Sequence, residues 1–139
     1  RGTLHSIDLP NQDVDLDQGG SRQRDVMATG RETGWLVPAS LRSRWQLHLG
    51  DAQVLLPDLL PKLGPIDVFI HDSLHTYEHM MFEYRAAWPH LRAGGILLSD
   101  DTDWNTAFPE FTTLVQCPRI MFNFRVGAIR KPLVAAKSL

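Results

Sequence analysis

The pattern of apolar and polar residues is clearest over residues 66–104, where it predicts a strand, a helix and a second strand. A short apolar run, typical of a strand buried on both faces of a sheet, is formed by Ile66, Val68, Phe69 and Ile70. Residues 96–98 form a second run, directly after a Gly-Gly pair. A strand–helix–strand unit of this kind almost always makes a right-handed crossover between parallel strands. We therefore predict that the two strands are parallel.

The helix between the strands is predicted from an apolar stripe. Its apolar residues recur at intervals of three and four, which places them on one face of a helix; they are Tyr77, Met81, Tyr84, Trp88 and Leu91. We expect Thr76 or Ser73 to cap the start of this helix, and residues 93–95 (Ala-Gly-Gly) to end it.

Acidic residues and histidines follow both strands. They are His71, Asp72 and His75 after the first strand, and Asp100, Asp101 and Asp103 after the second. Because ligands of parallel sheets bind beyond the carboxyl ends of the strands, we expect these side chains to line one crevice. Carboxylates that converge in this way repel one another, so either their pKa values rise or a cation joins them.

Asp72, Asp100 and Asp101 offer oxygen ligands only, which suit Mg²⁺ or Mn²⁺ better than zinc. His75 lies three residues after Asp72 and is a candidate general base, because histidine titrates near neutral pH. The alternative is that the aspartates are solvated strand-end and cap residues, and that His75 is an ordinary surface histidine.

Residues 69–101, with the sequence FIHDSLHTYEHMMFEYRAAWPHLRAGGILLSDD, resemble the second half of a class I S-adenosylmethionine-dependent methyltransferase. More narrowly, they resemble the metal-dependent small-molecule O-methyltransferases related to macrocin O-methyltransferase and to the cephalosporin-hydroxylase-like proteins. The resemblance is specific over residues 35–108 and thinner on either side. It implies a Rossmann-like α/β methyltransferase sheet that is mostly parallel and ends in an antiparallel pair.

The resemblance also implies an activity and its residues. The activity is transfer of a methyl group from S-adenosylmethionine to a hydroxyl group of a small molecule. In the family, an aspartate after the fourth strand and an acidic pair after the fifth hold magnesium, and Asp72, Asp100 and Asp101 occupy the matching positions. His75 matches the base, with Asp72 as the second catalytic residue. The first acid of the pair is often Glu in relatives, whereas Asp100 stands here.

Candidate cofactor residues lie near the start of the chain and at the first strand of the central unit. Residues 3–8 predict a strand that ends in Asp8, and an acid at this position in adenosyl-binding folds hydrogen-bonds the ribose. The resemblance implies this role for Asp8, and the alternative is a turn residue before Pro10. His71 and Asp72 are further candidates for cofactor binding.

Residues 45–49 alternate between apolar and polar and predict a third strand, which ends in Gly50, Asp51 and Ala52. In the family this triplet lies against the adenine, with the acid near its exocyclic amine. Gly50 allows close backbone approach. Asp51 is also suited to cap the helix that follows, which needs no ligand.

The first strand and the glycine-rich loop of such a fold would precede residue 1, and no GxGxxG segment occurs later. We therefore expect residues 1–139 to be a single, partial methyltransferase domain: a fragment, a processed form or a truncated reading frame. Residues 10–34 are polar and predict a long loop, either a lid over the site or a disordered run. Residues 54–63 predict a helix that Pro57 and Pro61 make short or kinked.

Two residues beyond the acidic pair are candidates for substrate contact. Trp104 and Phe108 are spaced as neighbours on a helix, so Trp104 is either a core residue or a wall of the acceptor pocket. Asn105 is either a polar contact to substrate or metal, or a solvent-facing helix residue. Residues 120–124 and 126–131 predict the two closing antiparallel strands, with Gly127 at a bulge or bend.

Net charge, apolar runs and the cysteine count limit the partners and the compartment that we expect. The net charge of −2 gives no reason to expect a nucleic acid, and no apolar run approaches the ~20 residues of a membrane span. The one cysteine, Cys117, is compatible with a reducing compartment, and we expect a buried thiol in a cytoplasmic protein. A small-molecule acceptor is the expected partner, and a homo-oligomer is left open.

Two other classes of function remain open from the sequence. One is a non-catalytic binding or partner subunit that keeps the fold. The other is a metal-dependent hydrolase or hydroxylase that uses the same acidic crevice. An iron hydroxylase usually needs two histidines and one carboxylate. His71, His75 and Asp72 supply these residue types, but their spacing on one strand end argues against a facial triad.

Overall fold

The computed structural model describes residues 2–9, 13–15, 22–24 and 31–133. The strands are β1 (Leu4–Asp8), β2 (Asp13–Asp15), β3 (Arg22–Arg24), β4 (Trp45–Leu49), β5 (Ile66–His71), β6 (Leu91–Ser99), β7 (Arg119–Met121) and β8 (Gly127–Arg130). The helices are α1 (Ala39–Arg42), α2 (Ala52–Leu63), α3 (Tyr77–His90) and α4 (Ala107–Leu114). The chain divides into two compact units, Arg1–Leu55 and Leu56–Leu139, which are described separately. The prediction of a single domain stays a prediction.

In the first unit, β1 pairs in parallel with β4, in a register that runs from Leu4 opposite Trp45 to Asp8 opposite Leu49. This confirms the two strands predicted there. Trp45 Nε1 donates a hydrogen bond to Ser6 Oγ at 3.0 Å, which ties the two strands together through side chains. Within the predicted loop 10–34, β2 and β3 form a short antiparallel pair. Residues 10–12, 16–21 and 25–30 lie outside the described residues, so the choice between lid and disordered run stays open.

Helix α2 is longer than the sequence indicated. It runs over 12 residues with Pro57 and Pro61 inside it, so of the two predicted alternatives a short helix is wrong and a kinked helix stays a prediction. Both prolines are exposed, whereas Leu56 and Leu60 are buried. The carbonyl groups that lose a proline N–H partner therefore lie toward solvent, where water satisfies them.

In the second unit, the described strands form a sheet in the order β5-β6-β8-β7. β5 and β6 are parallel, and the pairs β6–β8 and β8–β7 are antiparallel. The parallel crossover through α3 and the terminal antiparallel pair are therefore confirmed. Among the described helices, none is long and apolar enough to cross a membrane.

Helix α3 begins as predicted and ends earlier. Thr76 is its N-cap and accepts a hydrogen bond from the backbone N–H of His79 at 3.3 Å, so of the two candidate caps it is Thr76 that acts. The helix stops at His90, because Leu91 takes up extended backbone angles. The predicted end at residues 93–95 is wrong, since these residues lie inside β6. A side chain on Gly95 would approach the carbonyl oxygen of Asp67 to 3.1 Å, so the glycine serves strand pairing there.

The core of the second unit lies where α3 and α4 pack against the sheet. Its fully or nearly fully buried members are Met80, Met81, Tyr84, Leu91, Leu97, Ala107, Phe108, Phe111, Cys117 and Ile129. The prediction that β5 is buried on both faces is wrong. Val68 is 47% and Ile70 is 58% exposed, because no described residue of the second unit covers the face of β5 that carries them.

Gly127 is where we expect the largest effect of a small substitution on the stability of this core. A Cβ atom at this position would overlap the ring of Phe108 and lie 3.1 Å from Met121 Sδ. Phe108 is 1% exposed and has little room to move, so Gly127→Ala should destabilise the protein by about 1–3 kcal/mol. Urea unfolding measures this change. Gly2→Ala, where a Cβ atom meets nothing within 4 Å, is the control, and equal stability of both variants would contradict the expectation.

Candidate functional site

The carboxyl ends of β5 and β6 lie side by side. The backbone N–H of Asp100 donates to the carbonyl oxygen of His71 at 3.0 Å, directly where the ladder between the strands ends. Asp72, His75 and Asp101 follow within a few residues of these two positions. The structure therefore brings together the strand ends that the sequence marked as a site, as expected for parallel strands.

His75 is enclosed in this site. Its side chain is 10% exposed, so the alternative of an ordinary surface histidine is wrong. Its Nε2 atom lies 3.8 Å from Asp101 Oδ2 and makes no hydrogen bond with any described residue. Burial, together with the neighbouring His71, lowers the pKa of His75, and Asp101, Asp72 and Asp100 oppose the shift. The neutral imidazole, which is the form that accepts a proton, is therefore favoured near neutral pH.

Asp101 is held by an arginine that the sequence did not suggest. Arg125 donates from Nε to Asp101 Oδ1 at 2.7 Å and also from Nη2 to the same oxygen. This contact raises the pKa of Arg125. The backbone of Asp101 has a φ of +47°, in the left-handed region that aspartate tolerates better than most residues. Asp101 is 7% exposed, so the contact with Arg125 is largely shielded from water.

The predicted metal ligands are not arranged as a metal-binding site. In the part of the chain that the structure describes, no three His, Cys, Asp or Glu side chains are placed to hold a metal ion. Asp72 is exposed, Asp100 is partly buried, and Arg125 takes one carboxylate oxygen of Asp101. The oxygen-only donor set suits Mg²⁺, but the positive charge at Asp101 comes from the guanidinium group. The same finding applies to His71, Asp72 and His75 as iron ligands.

A buried glutamate, Glu83 of α3, was also missed by the sequence analysis. Its carboxylate accepts hydrogen bonds from His71 Nδ1 at 2.6 Å, from His79 Nε2 at 3.0 Å and from Ser73 Oγ at 2.9 Å. Burial raises the pKa of Glu83, but the hydrogen bonds from His71 and His79 outweigh it and lower the pKa to about 2. The spacing of His79 and Glu83, four residues apart on a predicted helix, was the signal available in the sequence.

Trp104 and Asn105 lie beside His75. The indole of Trp104 is 51% exposed, and its ring centre lies 5.2 Å from that of His75, so the core alternative for Trp104 is wrong. Asn105 Nδ2 donates to the carbonyl oxygen of His75 at 3.0 Å, and its Oδ1 accepts from the backbone N–H of Ala107 at 2.9 Å. Asn105 therefore fixes the backbone of His75 and the start of α4. Its predicted contact with substrate stays a prediction.

In the first unit, the candidate cofactor residues meet at the ends of β1 and β4. The backbone N–H of Gly50 donates to the carbonyl oxygen of Asp8 at 2.9 Å, and Gly50 has a φ of +148°, which favours glycine. Asp51 Oδ1 accepts from the backbone N–H of Gln53 at 2.8 Å, which confirms that Asp51 caps α2. Ala52 is the first residue of that helix. The roles of these residues and of His71 and Asp72 at a cofactor stay predictions.

The sequence matches the profile of a methyltransferase domain family over residues 1–102. The chain belongs to this family. Two curated relatives are similar over shorter segments. Demethylmacrocin O-methyltransferase of Streptomyces fradiae is 36% identical over 56 residues, which are 40% of this chain and 14% of that protein. Mycinamicin VI 2''-O-methyltransferase of Micromonospora griseorubida is 34% identical over 50 residues, 36% of this chain and 12% of that protein.

Solved methyltransferases share the fold of this family member. The calicheamicin methyltransferase CalS11 aligns with 92% of this chain and 60% of its own, with a TM-score of 0.64 and 19% identity. MycE, solved with Mg, SAH and mycinamycin VI, aligns with 70% of this chain and 34% of its own, with a TM-score of 0.55 and 17% identity. These similarities confirm the predicted Rossmann-like fold. The chain spans less than two thirds of the length of any of these four relatives.

Proposed function

We propose that the protein transfers a methyl group from S-adenosylmethionine to a hydroxyl group of a small molecule. The observation that carries the proposal is the enclosed, unpartnered Nε2 atom of His75, 3.8 Å from Asp101, at the strand ends of a methyltransferase-family chain. The relatives named for demethylmacrocin and mycinamicin VI are O-methyltransferases, which supports a hydroxyl acceptor.

His75 is the proposed catalytic base. Its neutral imidazole would accept the hydroxyl proton at Nε2, and the carboxylate of Asp101 would stabilise the imidazolium that forms. The exposed indole of Trp104 lies against His75 and would form one wall for the acceptor. Most of the rate gain in such a transfer comes from holding the two reactants in line, so the walls of the site matter as much as the base.

S-adenosylmethionine would supply the electrophilic methyl group. Within the first unit, Asp8 is the candidate for the ribose hydroxyls, and residues 50–52 are the candidates for the adenine. At the end of β5, the exposed Asp72 is a further candidate, whereas His71 is 0% exposed and as arranged does not reach a ligand. Strand-end acids and glycines of this kind are the usual contacts of a bound adenosyl group in Rossmann-like folds, which supports these assignments.

The proposed mechanism does not include a metal ion. The structure of MycE was solved with Mg, and the residue types of Asp72, Asp100 and Asp101 suit that ion. Because Arg125 holds Asp101, the carboxylates as arranged do not fit a metal, and no step of the proposed reaction passes through one. A cytoplasmic location and the absence of a nucleic-acid partner remain predictions from the sequence.

Cofactor binding and product mass test the proposal. We expect S-adenosylhomocysteine to bind in equilibrium dialysis, and an acceptor to gain the mass of one methyl group when S-adenosylmethionine is present. Demethylmacrocin and mycinamicin VI are the first acceptors to try, because the relatives carry their names. A folded protein that binds no S-adenosylhomocysteine would favour the non-catalytic class. A gain of one oxygen would favour a hydroxylase.

A further inference from the structure

Glu83 is the centre of a buried cluster of polar side chains, one of which, His71, packs against His75. The side chain of His71 is 0% exposed and Glu83 is 4% exposed, so water does not compete for their hydrogen bond. A glutamate with a pKa near 2 is ionised at neutral pH and can only accept. Each histidine nitrogen that faces it must therefore carry a proton. This places a proton on Nδ1 of His71 and on Nε2 of His79.

The bond to Glu83 also fixes the orientation of the His71 ring. Two other rings pack against it nearly at right angles: Tyr84 at 5.5 Å and His75 at 5.2 Å between centres. Tyr84 is itself held, because its hydroxyl group lies 2.6 Å from Ser99 Oγ on the neighbouring strand. The far nitrogen of His71, Nε2, is buried and makes no hydrogen bond with any described residue. What holds the ring in place is thus the carboxylate on one side and packing on the other.

We infer that Glu83 is a positioning residue for His75: it fixes the His71 ring, with the proton on Nδ1, as the surface against which the His75 imidazole is held. This inference rests on the proposed function of His75. Glu83 lies on α3 and acts through His71, so it has no contact with a reacting atom. A base must lie within hydrogen-bonding reach of its proton, and a small displacement of the ring costs rate rather than affinity.

Glu83→Gln tests the inference, because glutamine keeps the shape of the side chain and removes its charge. We expect kcat for methyl transfer to fall about 10–100-fold, as for other residues that orient a functional histidine, while KM for cofactor and acceptor stays within about twofold. Glu78→Gln, an exposed glutamate on the same helix, is the matched control and should leave kcat unchanged. Circular dichroism establishes that each variant is folded.

A second measurement does not depend on turnover. In the ¹⁵N-histidine-labelled wild-type protein, long-range ¹H–¹⁵N spectra show which ring nitrogen carries the proton. We expect His71 to carry it on Nδ1, and the His75 ring signals to move in Glu83→Gln but not in Glu78→Gln. A proton found on Nε2 of a neutral His71, or an unchanged kcat in folded Glu83→Gln, would overturn the inference. An inactive wild-type protein with the expected spectra would instead count against the proposed function alone.

Discussion

His75→Gln is expected to lower the rate of methyl transfer by about 10²–10⁴-fold, the usual contribution of a general base. Glutamine can still hydrogen-bond a hydroxyl group, but it cannot take up the proton. Binding of S-adenosylhomocysteine should change by less than about twofold, because the proposed role of His75 is toward the acceptor. The measurement is the rate of S-adenosylhomocysteine release with an acceptor that the wild-type protein methylates, alongside calorimetric binding of the same compound.

The control for this substitution is His90→Gln, at the last residue of α3. This substitution removes a histidine from the same compact unit but lies away from the carboxyl ends of β5 and β6. We expect the rate of the variant to equal that of the wild-type protein. A His75→Gln variant that is folded, binds S-adenosylhomocysteine and keeps full activity would show that the base lies elsewhere. The acidic side chains at the strand ends would then be the next candidates.

Arg125→Gln is expected to increase the affinity for Mn²⁺ at least about tenfold, equivalent to about 1.4 kcal/mol. Arg125 supplies the positive charge at Asp101 and takes one of its carboxylate oxygens. Without it, Asp101 and the neighbouring aspartates repel one another, and a divalent cation relieves this repulsion. Loss of the free-ion EPR signal during a manganese titration measures the affinity directly and does not depend on activity.

Two further variants serve as controls for this titration. Arg119→Gln, at an exposed arginine of β7, controls for a general loss of positive charge. Combining Asp100→Asn with Arg125→Gln should remove the gain, because it takes away one of the three carboxylates. Tight Mn²⁺ binding by the wild-type protein that Asp100→Asn abolishes would contradict the expectation. It would show that the aspartates assemble around a metal despite Arg125, as the sequence analysis predicted.

The elements of the second unit were largely predictable because each has a local cause. The apolar stripe and Thr76 define α3, and a short apolar run defines β5. Which faces of β5 are buried was not predictable in the same way. An apolar strand contains no information about which other parts of the chain cover it, and Val68 and Ile70 are exposed among the described residues. The end of α3 was also predicted wrongly, because Gly94 and Gly95 lie inside β6 and do not end the helix.

The location of the site was predictable from the sequence, but the partners of its side chains were less so. Parallel strands bring their carboxyl ends together, so His75 and Asp101 could be placed near one another from the chain order alone. The partner of Asp101 is Arg125, 24 residues away and in the segment between two antiparallel strands. Such a contact depends on the tertiary path of the chain. Glu83 was likewise hidden, because a glutamate on a helix is exposed in most proteins, and only its histidine neighbours explain its burial.

The reactivity of Cys117 reports how often the core of the second unit opens. The thiol is 5% exposed, sits in the core cluster with Phe108 and Phe111, and has a pKa that burial raises. Thiol reagents attack the thiolate, which the native packing both shields and disfavours. Because it is the one cysteine in the sequence, every labelling event reports exposure of this position. The rate of modification by a small disulfide reagent therefore follows how often the packing between α4 and the sheet breaks open, without any engineered probe.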